Sequence, residues 1–131
     1  MFLDQINWLG TPEPKPGEPE HLNCFQRTLI PNCDLLGITE EQAKKMGTYF
    51  GGGMRAQGTC GPVNATLLLL GALYGNDKEK QDAGKDFLIA YAEKNGSWMC
   101  SDIRDEEHIR CNAAIDFAIE YMNRLRSQLG K

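Results

Sequence analysis

The sequence lacks the local patterns that usually define a cysteine protein. It has no C-x-x-C, which removes both the thioredoxin-type redox motif and the zinc-ribbon spacing. It has no C-x-x-C-H, so covalent c-type haem is excluded, and the local ferredoxin spacings are absent too. No hydrophobic run is long: Leu67 to Tyr74 is the longest, far short of the ~20 residues that a membrane span needs. Lys and Arg are mixed with acids and form no basic run. With a net charge of −4 and a pI near 5.2, this argues against a nucleic-acid surface. The opening MFLDQINWLG has neither a cationic start nor a long apolar core, so no secretion signal is expected. These absences predict a soluble, cytoplasmic chain that binds neither nucleic acid nor membrane.

What is present is ordinary in bulk. The 131 residues are 41% apolar and 24% charged, values that suit one globular domain with a core. Residues 1–19 read as a separate arm. Ile6, Trp8 and Leu9 form an apolar tip, and TPEPKPGEPE carries four prolines in ten residues, a stiff extended linker. The arm either docks, on its own domain or on a second copy in a homo-oligomer, or is a disordered terminus. Residues 20–131 are the domain proper.

No stretch alternates at period two, so the domain is expected to be all-α: a compact bundle of about five helices with a Gly-rich loop before a central apolar helix. The first helix is placed from Glu20 to Ile30, ended by Pro31 and Asn32, with Cys33 following in the loop or a short further turn. Thr39-Glu40-Glu41-Gln42 fits a capping box for a second helix reaching Phe50, with Ala43, Met46 and Phe50 inward. The third, Pro62 to Tyr74, is apolar almost all round and belongs at the centre. The fourth runs from Lys78 to Lys94, with Phe87 and Tyr91 in its buried stripe, and stops at Asn95-Gly96. A loop with Trp98 and Cys100 leads to a last helix from Asp105 to Leu129.

The stretch that organises the chain is GGGMRAQGTCGPVNATLLLLGALYG, Gly51 to Gly75. Five glycines within eleven residues mark backbone that turns at positive φ or approaches something closely. Pro62 suits a first helical turn, so Cys60 falls at a helix start, where the dipole and unpaired N–H groups favour a thiolate. Gly58 and Gly61, which flank Cys60, and Arg55 are the candidates for contacting a cofactor or anion. The loop is glycine-rich like a phosphate cradle, but it follows a helix and lacks the Gly-Lys-Ser/Thr ending, so nucleotide binding is not expected. Cysteines occur at 24, 33, 60, 100 and 111. Cys24, Cys60, Cys100 and Cys111 all lie at helix starts or adjoining loops, and a metal or cluster would require the fold to bring them together. Cys33 is the odd member, a filler or accessory thiol. His108, three residues before Cys111, is a possible ligand but more simply a solvated residue, as is His21. Trp98 and Met99 read as loop anchors.

With these residues in view, the sequence resembles the C_GCAxxG_C_C family of helical bacterial proteins, named for its cysteine pattern and described as redox-active. The resemblance covers about Glu20 to Arg126. It rests on Cys24 in a first helix, on FGGGMRAQGTCGPVNATLLLLGALYG, and on Cys100 and Cys111 as the last two pattern cysteines. The chain departs from the pattern in having Thr59 before Cys60, Gly61 after it, Pro62 near the expected alanine, and Asn64 or Ala65 near the final glycine. The resemblance implies redox or electron-transfer work through Cys24, Cys60, Cys100 and Cys111, either as iron–sulfur ligands or as exchangeable thiols, with a partner redox protein. It supplies no substrate, and no substrate-specific catalytic motif marks the chain as an enzyme. Two other classes stay open: a structural zinc site on the same four cysteines, and a plain helical interaction protein with no cofactor.

Overall fold

The computed structural model describes residues 22–51, 53–103 and 109–131, without the side chains of Arg55 and Gln57. The expected arm 1–19, His21 and the helix start at Asp105 to His108 lie outside the described residues. Among those described there are six α-helices and no strand, an all-α bundle as expected but with one more helix.

Helix α1 is Cys24–Leu29. Asn23 caps it through a reciprocal pair of bonds: Gln26 N–H donates to Asn23 Oδ1, and Asn23 N–H to Gln26 Oε1, both at 2.8 Å. The chain does not stop at Pro31. It tightens into a 3-10 helix, Ile30–Leu36, with Pro31 in its first turn, where a fixed φ and a missing N–H are tolerated. Gly37 closes this segment at φ 68°. Helix α2, Glu40–Met46, carries the expected capping box at Thr39 and Gln42 but ends at Gly47, not Phe50. Gly47 is pressed against Gln26 and Phe25, and the chain turns there, so Phe50 stacks on Phe25 with ring centroids 4.5 Å apart. Met46, expected inward, is 49% exposed.

Helix α3, Gly61–Tyr74, is central as its composition demands. It packs against α1, the 3-10 helix, α4 and α6, and buries Val63, Ala65, Thr66, Leu69, Leu70 and Leu73. Asp77 then caps a separate 3-10 turn, Lys78–Lys80, so α4 begins only at Ala83 and runs to Asn95. Its fully buried residues are Phe87 and Tyr91. The expected loop around Cys100 contains the additional short helix α5, Cys100–Ile103. Helix α6, Ile109–Leu129, buries Ala114, Ile115, Ala118 and Met122. Its far end is tied to the 3-10 helix by a two-pronged pair, Arg126 Nη1 to Asp34 Oδ1 at 2.9 Å and Nη2 to Oδ2 at 2.6 Å. Among the described residues no helix is long and apolar enough to cross a membrane.

Candidate functional site: a buried cysteine cluster

Four elements each contribute one cysteine. Cys24 opens α1, Cys60 is the N-cap of α3, Cys100 opens α5, and Cys111 lies in the first described turn of α6. A short backbone crossing sets two of them in register. Thr59 and Met99 face each other in an antiparallel bridge. On either side, Cys60 N–H donates to the Trp98 carbonyl at 2.8 Å and Cys100 N–H to the Gly58 carbonyl at 2.7 Å. Alternate residues of such a pairing share a face, so Cys60 and Cys100 are diagonal neighbours on one side of it. Trp98 itself is 45% exposed; the anchor is its carbonyl, not its ring.

Two glycines make the close approaches. Beside Cys60, a Cβ on Gly61 would lie 2.5 Å from Cys24 Sγ and 2.8 Å from Phe25 N. Gly53, at φ 64°, opens the π-helical turn Gly53–Gln57, and a Cβ there would meet Cys100 Cβ at 2.7 Å and Gly58 N at 2.6 Å. Cys60 is 4% exposed and so is Cys100, while Cys24 and Cys111 are half-buried. Cys24, Cys100 and Cys111 all bear electrostatically on Cys60. The fold therefore sets Cys24, Cys100 and Cys111 in the neighbourhood of Cys60, and none of the four is in a disulfide.

The expected stabilised thiolate at Cys60 is not found. Burial pushes its thiol up to about 12; the Tyr91 hydroxyl pulls it down, and the neighbouring Cys24, Cys100 and Cys111 add smaller upward pushes. Removing a charge from water outweighs the favourable end of α3. The sulfur also makes no capping bond to the first turn of that helix. Instead it accepts a hydrogen bond from Tyr91 Oη at 3.0 Å, between groups 31 residues apart. Burial, then the neighbouring Cys60, holds the Tyr91 hydroxyl in its protonated, donating form. Tyr91 is the site residue that sequence reasoning missed. Its signal was a tyrosine in an otherwise apolar stripe, since a buried phenol needs a partner for its O–H.

Cys33 stands apart. It is buried on the 3-10 helix, and its thiol is raised by burial first and then by Glu40 and Asp34, not by the other cysteines. Gly58 contributes its carbonyl to the crossing. The Arg55 side chain and His108 lie outside the described residues. As a donor set, four thiols suit an iron–sulfur cluster in kind; the contacts at Gly53 and Gly61 are with the chain's own atoms, so they are tight packing. Among the described residues no group of three or more His, Cys, Asp or Glu is placed so that it could hold a metal ion.

Comparison with known proteins matches residues 22–125 to the family described as "Putative redox-active protein (C_GCAxxG_C_C)". No curated protein and no solved structure gives a significant match to the chain. The match spans most of the sequence, including Cys24, Cys60, Cys100 and Cys111. The chain belongs to the C_GCAxxG_C_C family of redox-active proteins.

Proposed function

We propose that this member of the family is an electron-transfer protein in which Cys24, Cys60, Cys100 and Cys111 together hold one redox centre, an iron–sulfur cluster. The observation that carries this reading is the placement of three cysteines, Cys24, Cys100 and Cys111, from three separate elements, near the buried Cys60. Thiol exchange needs two cysteines, whereas four thiolates are the usual ligand set of a cluster. When bound, such a centre supplies one-electron transfer.

The chain's own residues supply the setting. Burial keeps water from Cys60 and Cys100, and a bound cation would hold as thiolate a sulfur that burial alone keeps protonated. The Thr59–Met99 crossing fixes the register of Cys60 and Cys100. Half-buried Cys24 and Cys111 are the members of the set that a partner redox protein would reach.

Half-buried Cys24 beside buried Cys60 also favours a second reading, thiol–disulfide exchange. The two thiols would lose two electrons and two protons, forming an S–S bond, as a substrate disulfide breaks and takes up both. A reductive titration under nitrogen, followed in the visible, separates the two. The cluster reading expects a reversible absorbance change that Cys60→Ser abolishes and Cys33→Ser leaves intact. A colourless chain whose Cys24 and Cys60 pair under mild oxidant would instead support exchange.

A further inference from the structure

We propose that Tyr91 sets the reduction potential of the cysteine centre, holding it more oxidising than the same centre without the phenol; this rests on the redox reading above. Tyr91 is fully buried, and its hydroxyl donates to Cys60 Sγ at 3.0 Å. The ring is held from two sides, by Phe87 at 5.6 Å and Phe117 at 6.0 Å between centroids. The O–H is thus aimed at the sulfur by packing on α4 and α6. A dry site strengthens such a bond, because no water competes for either partner.

The direction follows from charge. Adding one electron to the centre, from a low-potential reductant such as dithionite, puts more negative charge on its sulfurs. No covalent bond forms or breaks, and the proton stays on the Tyr91 oxygen. A hydrogen bond to a more negative acceptor is stronger. Tyr91 therefore stabilises the reduced form more than the oxidised form, as hydrogen bonds to ligand sulfurs do. In the thiol-exchange reading the sign is the same, since a thiol or thiolate sulfur accepts better than one in a disulfide.

The test is the midpoint potential of the anaerobically purified full chain and of Tyr91→Phe, which keeps the ring and removes only the hydroxyl. The expected result is a fall of about tenfold in the equilibrium constant for reduction, about 59 mV for a one-electron couple. Introducing 3-fluorotyrosine at position 91, a stronger donor, should raise the potential, and it keeps the test decisive should Tyr91→Phe fail to fold. Leu73→Ala supplies the packing control. It removes buried core about 20 Å along α3 from Cys60 and should lower thermal stability without moving the potential. An unchanged potential in Tyr91→Phe, or a shift of the same size in Leu73→Ala, would overturn the inference while leaving the redox reading in place. A wild-type chain with no reversible transition would overturn both.

Discussion

Thr66 is completely buried in α3, and its Oγ1 is a buried side-chain atom without a hydrogen-bond partner. An unpaired buried hydroxyl costs on the order of 1–3 kcal/mol. Thr66→Val keeps the branched shape and should raise the melting temperature by a few degrees; a lower one would show that the hydroxyl has a partner in solution. Gly61→Ala should act the other way. Its Cβ would fall 2.5 Å from Cys24 Sγ and 2.8 Å from backbone at Phe25, so α1 and α3 must separate. Chemical denaturation should show a loss of roughly 1–3 kcal/mol, and full stability would mean that the approach is looser than described. At this scale the sequence was readable where residue type was distinctive. Cysteines and glycines marked the candidate site, but the protonation of Cys60 was not legible, because burial comes from α1, α4 and α6, elements remote in the chain. Tyr91 was hidden for the same reason: its stripe looked like core, and it is core except for one oxygen.

Among the elements, α1 matters most to the site, because it carries Cys24 in its first position. Asn23 holds that turn twice over, capping α1 and donating from Nδ2 to the Gly47 carbonyl at 2.8 Å. Asn23→Ala should therefore cost more than the ~1 kcal/mol of a lost cap alone. Thermal unfolding and the reactivity of the Cys24 thiol would check it; a cost well below that value would show that packing alone holds the turn. The Thr39 capping box, the apolar α3 and the Gly96 stop were legible in sequence, being local chemistry, whereas the Asn23 cap was not, and the first helix was placed from Glu20. The misplaced boundaries share one cause. Pro31, Asp77 and the segment at Cys100 send local signals for a stop, a start and a loop, yet backbone hydrogen bonding continues as 3-10 turns or the short α5. Tertiary packing decides such cases, and here the crossing at Thr59 and Met99 is a contact that no pattern predicts.

Across the whole molecule, α6 is tied back to the 3-10 helix by Arg126 and Asp34. The hydrogen bonds from the Arg126 guanidinium hold the Asp34 carboxyl below its ordinary value. A carboxyl lowered by folding stabilises above its unfolded value, near 3.9, and loses that contribution as pH falls through the lower folded value. Because Asp34 is largely exposed, the effect is modest, at most about 1 kcal/mol. Melting temperature should thus fall more steeply below about pH 4 in the wild type than in Asp34→Asn; parallel curves would contradict the pairing. The larger claim is that the six described helices bring Cys24, Cys60, Cys100 and Cys111 together to hold one iron–sulfur centre. The measurement that tests it most directly is iron and acid-labile sulfide per chain after purification without oxygen. The account predicts iron and sulfide in cluster proportion, lost in Cys60→Ser and kept in Cys33→Ser. Zinc without sulfide, or no metal at all, would contradict it.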